Sequence, residues 1–214
     1  METAYELRNS KLGPRVVDAL KKRYFDAWYL DDLLGATDMV VSLIPKEHLV
    51  SWGGSMTIVG LGIQERLAKE GFNLIDRDKA PLDSEERMEL MRKALLCDTF
   101  LCSSNAISED GQLVNIDNYG NRTAAMIFGP KQVIVVAGIN KVVKTVEDAM
   151  IRARTIAAPV NIQRFPSIAT PCNKTGSCAN CVTPDTVCNY FVTIRLCKPA
   201  RRIKVILVGE NLGI

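Results

Sequence analysis

The sequence predicts an α/β protein built on a mostly parallel sheet flanked by helices, and three observations carry that prediction. From residue 36 onward, short apolar runs alternate with stretches of helical periodicity, the order that places strands in one layer and helices on its faces. The run Lys131-Gln132-Val133-Ile134-Val135-Val136 is almost continuously apolar and β-branched, as a strand buried on both faces must be. Helix-start signals recur between the runs, with Asp83 and Glu86, then Thr145 and Asp148, in capping-box spacing.

The first element reads as a docking helix within residues 1–35: it starts at Pro14 and carries an apolar stripe of Val16, Val17, Leu20, Tyr24, Ala27 and Trp28. A helix near 36–44 leads to a strand at 48–52. The next helix, about 55–70, stops at Gly71, a natural C-cap. A strand at 72–75 precedes the helix that opens at Asp83 and shows Met88, Met91 and Leu95 on one face. Strands follow at 99–103, 112–116 and 131–136. The helix opened by Thr145 carries Val146, Ala149, Met150, Ala153 and Ile156 and is ended by Pro159. A cysteine-rich segment, 165–199, then separates it from a last strand at 203–208, so the segment reads as an insertion into a single domain spanning 1–214.

Composition limits the function classes. At 214 residues and 47% hydrophobic content the chain is long enough for one sizeable core. Lys+Arg 27 against Asp+Glu 24 gives +3, with the basic residues scattered, so there is no electrostatic footprint for nucleic acid. The densest basic spot, Lys198, Arg201, Arg202 and Lys204, reads as a solvated strand flank. The N-terminus lacks the apolar core of a signal peptide and no apolar run reaches the length of a membrane span, which points to the cytoplasm. No Walker-type motif and no complete Gly-x-Gly-x-x-Gly follows a strand. The single histidine, His48, argues against Ser-His-Asp or Cys-His catalysis and against a zinc held by several histidines.

Ligands of parallel sheets collect beyond the carboxyl ends of the strands, so the turns just after the strands are where chemistry is expected. In Ser51-Trp52-Gly53-Gly54-Ser55-Met56-Thr57 two glycines permit close backbone approach, and Ser55 and Thr57 offer hydroxyls to a phosphate or carboxylate; the alternative is a plain glycine turn with Ser55 as helix cap. Ser103-Ser104-Asn105 is dense in hydroxyl and amide groups, suited either to a ligand or to capping. Asp117 and Arg122 supply a carboxylate and a guanidinium that could grip an anion or pair with each other. Asn140-Lys141 follows the most buried strand, where desolvation could lower the lysine pKa and make it a base or Schiff-base nucleophile; the alternative is a solvated lysine at a strand end.

Seven cysteines in a reducing compartment are not a disulfide framework. Cys97 and Cys102 lie in an apolar run and read as core, and Cys197 as a spare thiol or alternative ligand. Cys172, Cys178, Cys181 and Cys188 fall in one short, turn-rich stretch poor in apolar residues, a pattern that suits a metal. Zinc sites usually use two Cys-x-x-Cys hooks, and here only Cys178 and Cys181 form one. The irregular spacing is nearer a 4Fe-4S cluster, with zinc the alternative.

Taken together, Val50-Ser51-Trp52-Gly53-Gly54-Ser55-Met56-Thr57, Ser103-Ser104-Asn105-Ala106-Ile107, Gly111 to Asp117, Gly120-Asn121-Arg122, Phe128-Gly129-Pro130, Gly138-Ile139-Asn140-Lys141 and Ala157-Ala158-Pro159-Val160-Asn161 resemble the LUD-domain family, the lactate-utilisation LutC-like proteins. The segment opening Thr170-Pro171-Cys172 resembles that of a subset of the family and is absent from the lactate-utilisation member itself. The resemblance implies a fold similar to the ribose-phosphate isomerase and CoA-transferase superfamily. It implies a bacterial or archaeal cytoplasmic protein that serves L-lactate oxidation beside iron–sulfur partner proteins. It also implies a phosphate or acyl group at the glycine-rich turn. The expected function is therefore an accessory or electron-transfer role with a small anionic ligand, or an enzyme acting on a small phosphorylated or carboxylic substrate.

Overall fold

A computed structural model of the chain describes residues 3–82 and 84–214. Six parallel strands form the main sheet: β1 (Asp26–Leu30), β2 (Leu49–Trp52), β3 (Asn73–Ile75), β4 (Thr99–Cys102), β7 (Gln132–Gly138) and β10 (Ile203–Val208), in the order β1-β10-β7-β4-β2-β3. Alternation along the central strands sorts their side chains into two cores. On one face Val133, Val135 and Ala137 of β7 and Val205 and Leu207 of β10 meet Leu12, Val16, Val17 and Leu20 of α1 (Ala4–Lys22), with α5 (Glu85–Ala94) and α6 (Asn121–Ile127) alongside. On the other, Ile134, Val136, Ile206 and Val208 meet α2 (Leu33–Ser42), α3 (Met56–Gly60) and α4 (Ile63–Lys69).

Strands β5 (Ala106–Ser108), β6 (Leu113–Asp117), β8 (Val142–Val143) and β9 (Tyr190–Ile194) build a second, mostly antiparallel sheet in the order β8-β5-β6-β9. Helix α7 (Val146–Arg152) packs Ala149 onto Ala106, Val114 and Ile116 of that sheet. The strand expected at 112–116 therefore belongs to this layer and not to the parallel one.

Several elements differ from the sequence reading, each for a local reason. Helix α1 begins ten residues before Pro14, at a capping box of Thr3 and Glu6, and carries the proline inside it. It ends at Lys22, where Tyr24 takes a left-handed backbone, and Ala27 and Trp28 belong to β1 instead of the helical stripe. The helix expected at 55–70 is two helices, α3 and α4, broken at Gly62, whose positive φ caps the start of α4. Pro159 does not end the helix opened by Thr145. A turn of π-helix, Ala153–Ala157, absorbs the change and Pro159 sits in the first turn of α8 (Ala158–Ile162), where it needs no amide donor. Ser84 caps α5; Asp83, expected in that role, lies outside the described residues. The cysteine segment contributes a short helix, α9 (Pro171–Thr175), and then β9, which completes the second sheet.

The chain places β3 outside β2, crosses to β4 on the other side of β2, and goes on to β7 and β10. The connection after β2 enters α3 on one face, while that after β4 runs through β5 and β6 to α6 on the other. Two connections that diverge in this way leave a crevice between the carboxyl ends of β2 and β4.

Candidate functional site

That crevice is a cleft of about 760 Å³. Gly53, Gly54, Ser55 and Thr57 enter it from the end of β2, Ser103, Ser104 and Asn105 from the end of β4, Asp117 from β6, Arg122 from α6 and Lys141 from the turn after β7. Of the ten residues anticipated for the pocket, nine meet here. Asn140 is the exception: its amide oxygen accepts from the Leu212 N–H at 3.1 Å and it does not line the cleft. It fastens the chain after β10 across Gly138, at which any Cβ would collide with the backbone of Glu210 and Leu212.

Lys141 is 3% exposed. Its Nζ donates to Thr57 Oγ1 and to Ser103 Oγ, each at 2.9 Å, and those two hydroxyls are 3.3 Å apart. Burial first, then the nearby guanidinium groups of Arg152 and Arg122, push its pKa down to about 7. Arg152 is held close by the carbonyls of Asn140 and Asn105, at 3.1 and 2.5 Å.

Arg122 is buried in the opposite sense, with its donors engaged. It reaches Asp117 Oδ1 (3.2 Å), Asn115 Oδ1 (2.7 Å), Asn105 Oδ1 (2.9 Å) and the carbonyls of Ser103 and Ile116 (both 2.8 Å). Asp117 Oδ2 accepts in turn from the amide of Thr123 at 2.9 Å. Of the two readings open to the Asp117–Arg122 pair, the mutual, structural one is what the geometry supports for Arg122. Ser104 is likewise engaged, donating to the carbonyls of Ala106 and Val114.

A further cation at the cleft, ion-paired with Asp78 at 3.8 Å, is one the sequence reading passed over. Arg77, in the turn just after β3, lines the cleft, and its Nε, buried, has no hydrogen-bond acceptor among the described residues. A Cβ at Gly54 would lie 3.5 Å from its Nη2, which puts the glycine turn and this guanidinium in contact distance. Arg87 braces that turn by donating to Asp78 and to the carbonyls of Arg77 and Ala80. Arg164 is the fifth cation of the wall. Four arginines and Lys141 stand with two carboxylate side chains, Asp78 and Asp117, which leaves the lining net positive. Arg77 was findable: it follows a parallel strand, as the other site turns do. Arg164, at the end of α8, carried no such signal.

The four cysteines expected as metal ligands, Cys172, Cys178, Cys181 and Cys188, lie outside the cleft. Cys172 is buried and Cys178, Cys181 and Cys188 half-buried, all as free thiols. Burial raises the Cys188 thiol to about 11, and Cys172, Cys178 and Cys181 add to the shift, so the four are electrostatic neighbours. A set of four sulfur donors fits zinc or an iron–sulfur cluster. Among the described residues, however, no group of three or more His, Cys, Asp or Glu side chains is arranged to hold a metal ion. Cys97, Cys102 and Cys197 are core residues; the Cys197 sulfur accepts from the Ile203 amide at 3.2 Å. His48 is at the far end of β2, hydrogen-bonded to Thr99.

The fold and the site together define a class, an α/β protein with a net-positive cleft at the carboxyl edge of a parallel sheet. The family model of the LUD domain matches residues 14–208, and the chain belongs to that family, which is linked to lactate utilisation. A crystal structure of a DUF162 family protein from Deinococcus radiodurans has the same fold, with a TM-score of 0.54 at 14% identity, covering 94% of this chain and 98% of that one. No curated protein matches the chain. Among the described residues no helix is long and apolar enough to cross a membrane.

Proposed function

We propose that the chain serves lactate utilisation by binding a small carboxylate or phosphorylated anion in the cleft, with Lys141 as a base beside it. The observation that carries this reading is the company Lys141 keeps: a buried amine touching two hydroxyls, in a cleft that four arginines also line. An amine near neutrality accepts a proton at ordinary pH, and surrounding guanidinium groups hold an anionic substrate against it. Gly53 and Gly54 leave room for the ligand, and Arg77 supplies the grip. Isothermal titration calorimetry with L-lactate, pyruvate and inorganic phosphate tests the reading. At least one should bind, and Gly54→Val should abolish that binding by filling the space before Arg77. If none of the three binds, or if Gly54→Val binds as the wild type does, the reading fails.

The mutual influence of the four thiols favours a second reading, a metal centre in the cysteine segment, 4Fe-4S or zinc, that serves electron transfer or docking to iron–sulfur partners of lactate oxidation. Anaerobically purified protein should be brown, with iron matched by acid-labile sulfide. Serine at any of Cys172, Cys178, Cys181 or Cys188 should lower the metal content, and Cys97→Ser should not. Colourless protein with one zinc per chain would leave a structural site only, and full metal in all four variants would end the assignment.

A further inference from the structure

We infer that Ser103 is a nucleophile activated by Lys141, and that the cleft transfers or hydrolyses the acyl group of a small anionic ester or thioester. The inference rests on the cleft reading above and adds the reacting atom, the reaction type and the substrate class.

Ser103 is the first residue beyond β4, inside the sheet, and lines the cleft. Its hydroxyl differs from that of its neighbour. Ser104 Oγ is committed to two carbonyls at 2.9 and 3.1 Å, whereas Ser103 Oγ has as its close partner the amine of Lys141 at 2.9 Å, with Thr57 Oγ1 and the Ser104 carbonyl more distant at 3.3 and 3.4 Å. The Ser103 backbone is fixed by Arg122, which donates to its carbonyl at 2.8 Å, so the hydroxyl stands on a rigid support. Serine is a poor nucleophile until a base takes its proton, and lysine takes histidine's place as that base in Ser-Lys sites. His48 is engaged elsewhere, and among the described residues no carboxylate reaches Ser103. Burial and two guanidinium groups keep a large share of Lys141 uncharged at neutral pH, ready for the task. Thr57 is a positioning residue that holds the amine from its other side.

The step balances without a further reagent than water. As Ser103 Oγ bonds to the acyl carbon, its proton passes to Lys141 Nζ. The carbon–oxygen or carbon–sulfur bond to the leaving group then breaks, and the leaving group takes the proton from Nζ. Water, deprotonated by the same amine, attacks the acyl-serine and restores Ser103 with release of the acid. Arg77 holds the anionic end of the substrate.

The test is covalent labelling of the full chain with a fluorophosphonate, located by mass spectrometry, together with the burst of p-nitrophenolate from p-nitrophenyl acetate. Ser103 should carry the label, Ser103→Ala should show neither label nor burst, and labelling should rise with pH about a midpoint near 7. Lys141→Met should slow it by about 10²–10⁴-fold while remaining folded. Binding of whichever anion the calorimetry identifies is measured on the same samples. An unlabelled, burst-free wild type that still binds that anion, or a label on another residue, overturns the dyad and leaves the cleft reading standing. Loss of both overturns both.

Discussion

Arg122 and Lys141 are two buried cations at the same end of one sheet, and both hold Ser103, one by its carbonyl and the other by its hydroxyl. They differ in what surrounds them. Arg122 meets a carboxylate, two amide oxygens and two carbonyls, so its charge is dispersed into acceptors that a permanently charged fork matches well. Lys141 meets two hydroxyls and two repelling guanidinium groups, and its pKa falls to about 7. A saturated buried cation makes structure, whereas an under-compensated one is available for chemistry.

The sharpest way to break this contrast is through Arg122. Arg122→Met should destabilise the chain by about 3–5 kcal/mol, because it strands the half of the network centred on Asp117 in a buried setting. Urea denaturation reads that loss, and a drop below about 1 kcal/mol would mean the network is dispensable. Arg77→Gln should leave the urea midpoint near wild type yet weaken binding of the cleft's anion by about tenfold or more, the scale of one charged hydrogen bond. Equal weakening from both variants without loss of stability would erase the distinction between them.

Lys141 gives a signed effect on stability. Its folded pKa is about 7, against roughly 10.4 for a free lysine. Between those values the unfolded chain holds the extra proton, so raising the pH favours the folded state, by at most about 1.4 kcal/mol per unit. The window closes near pH 8.5, the free thiol value, because Cys97 and Cys102 are pushed up to about 12 and contribute with the opposite sign above it. Stability should therefore climb between about pH 7 and 8.5. Lys141→Met should flatten the climb, and a slope unchanged in that variant would place its source elsewhere.

How much of this was legible in the chain followed from how strongly each segment declared itself. The strands β2, β4, β7 and β10 were plain because burial on both faces demands apolar runs. Strand β1 was hidden because Tyr24 breaks the helix with a positive φ and no glycine or proline to announce it, while the apolar spacing carries on into Ala27 and Trp28. Strand β9 was hidden in a polar, cysteine-rich setting, and only Val192 and Ile194 of its five residues turn inward. Most of the site was readable from position alone, since Gly53, Thr57, Asn105 and Lys141 all stand just beyond strands. The roles were not: Arg122's saturation and the contact of Lys141 with Ser103 join residues 19 and 38 positions apart, and only the fold brings them together.

If the cleft binds an anion as proposed, Lys141, under the influence of Arg122 and Arg152, would link that binding to a proton. An anion seated beside the amine offsets both guanidinium charges and raises the affinity of Nζ for a proton. Above neutrality, then, each anion that enters should carry a fraction of a proton from the buffer with it, and the heat of binding should vary with the buffer's own ionisation enthalpy. Release into a more alkaline medium would return both together, so that occupancy of the cleft would follow the local acidity as well as the concentration of ligand.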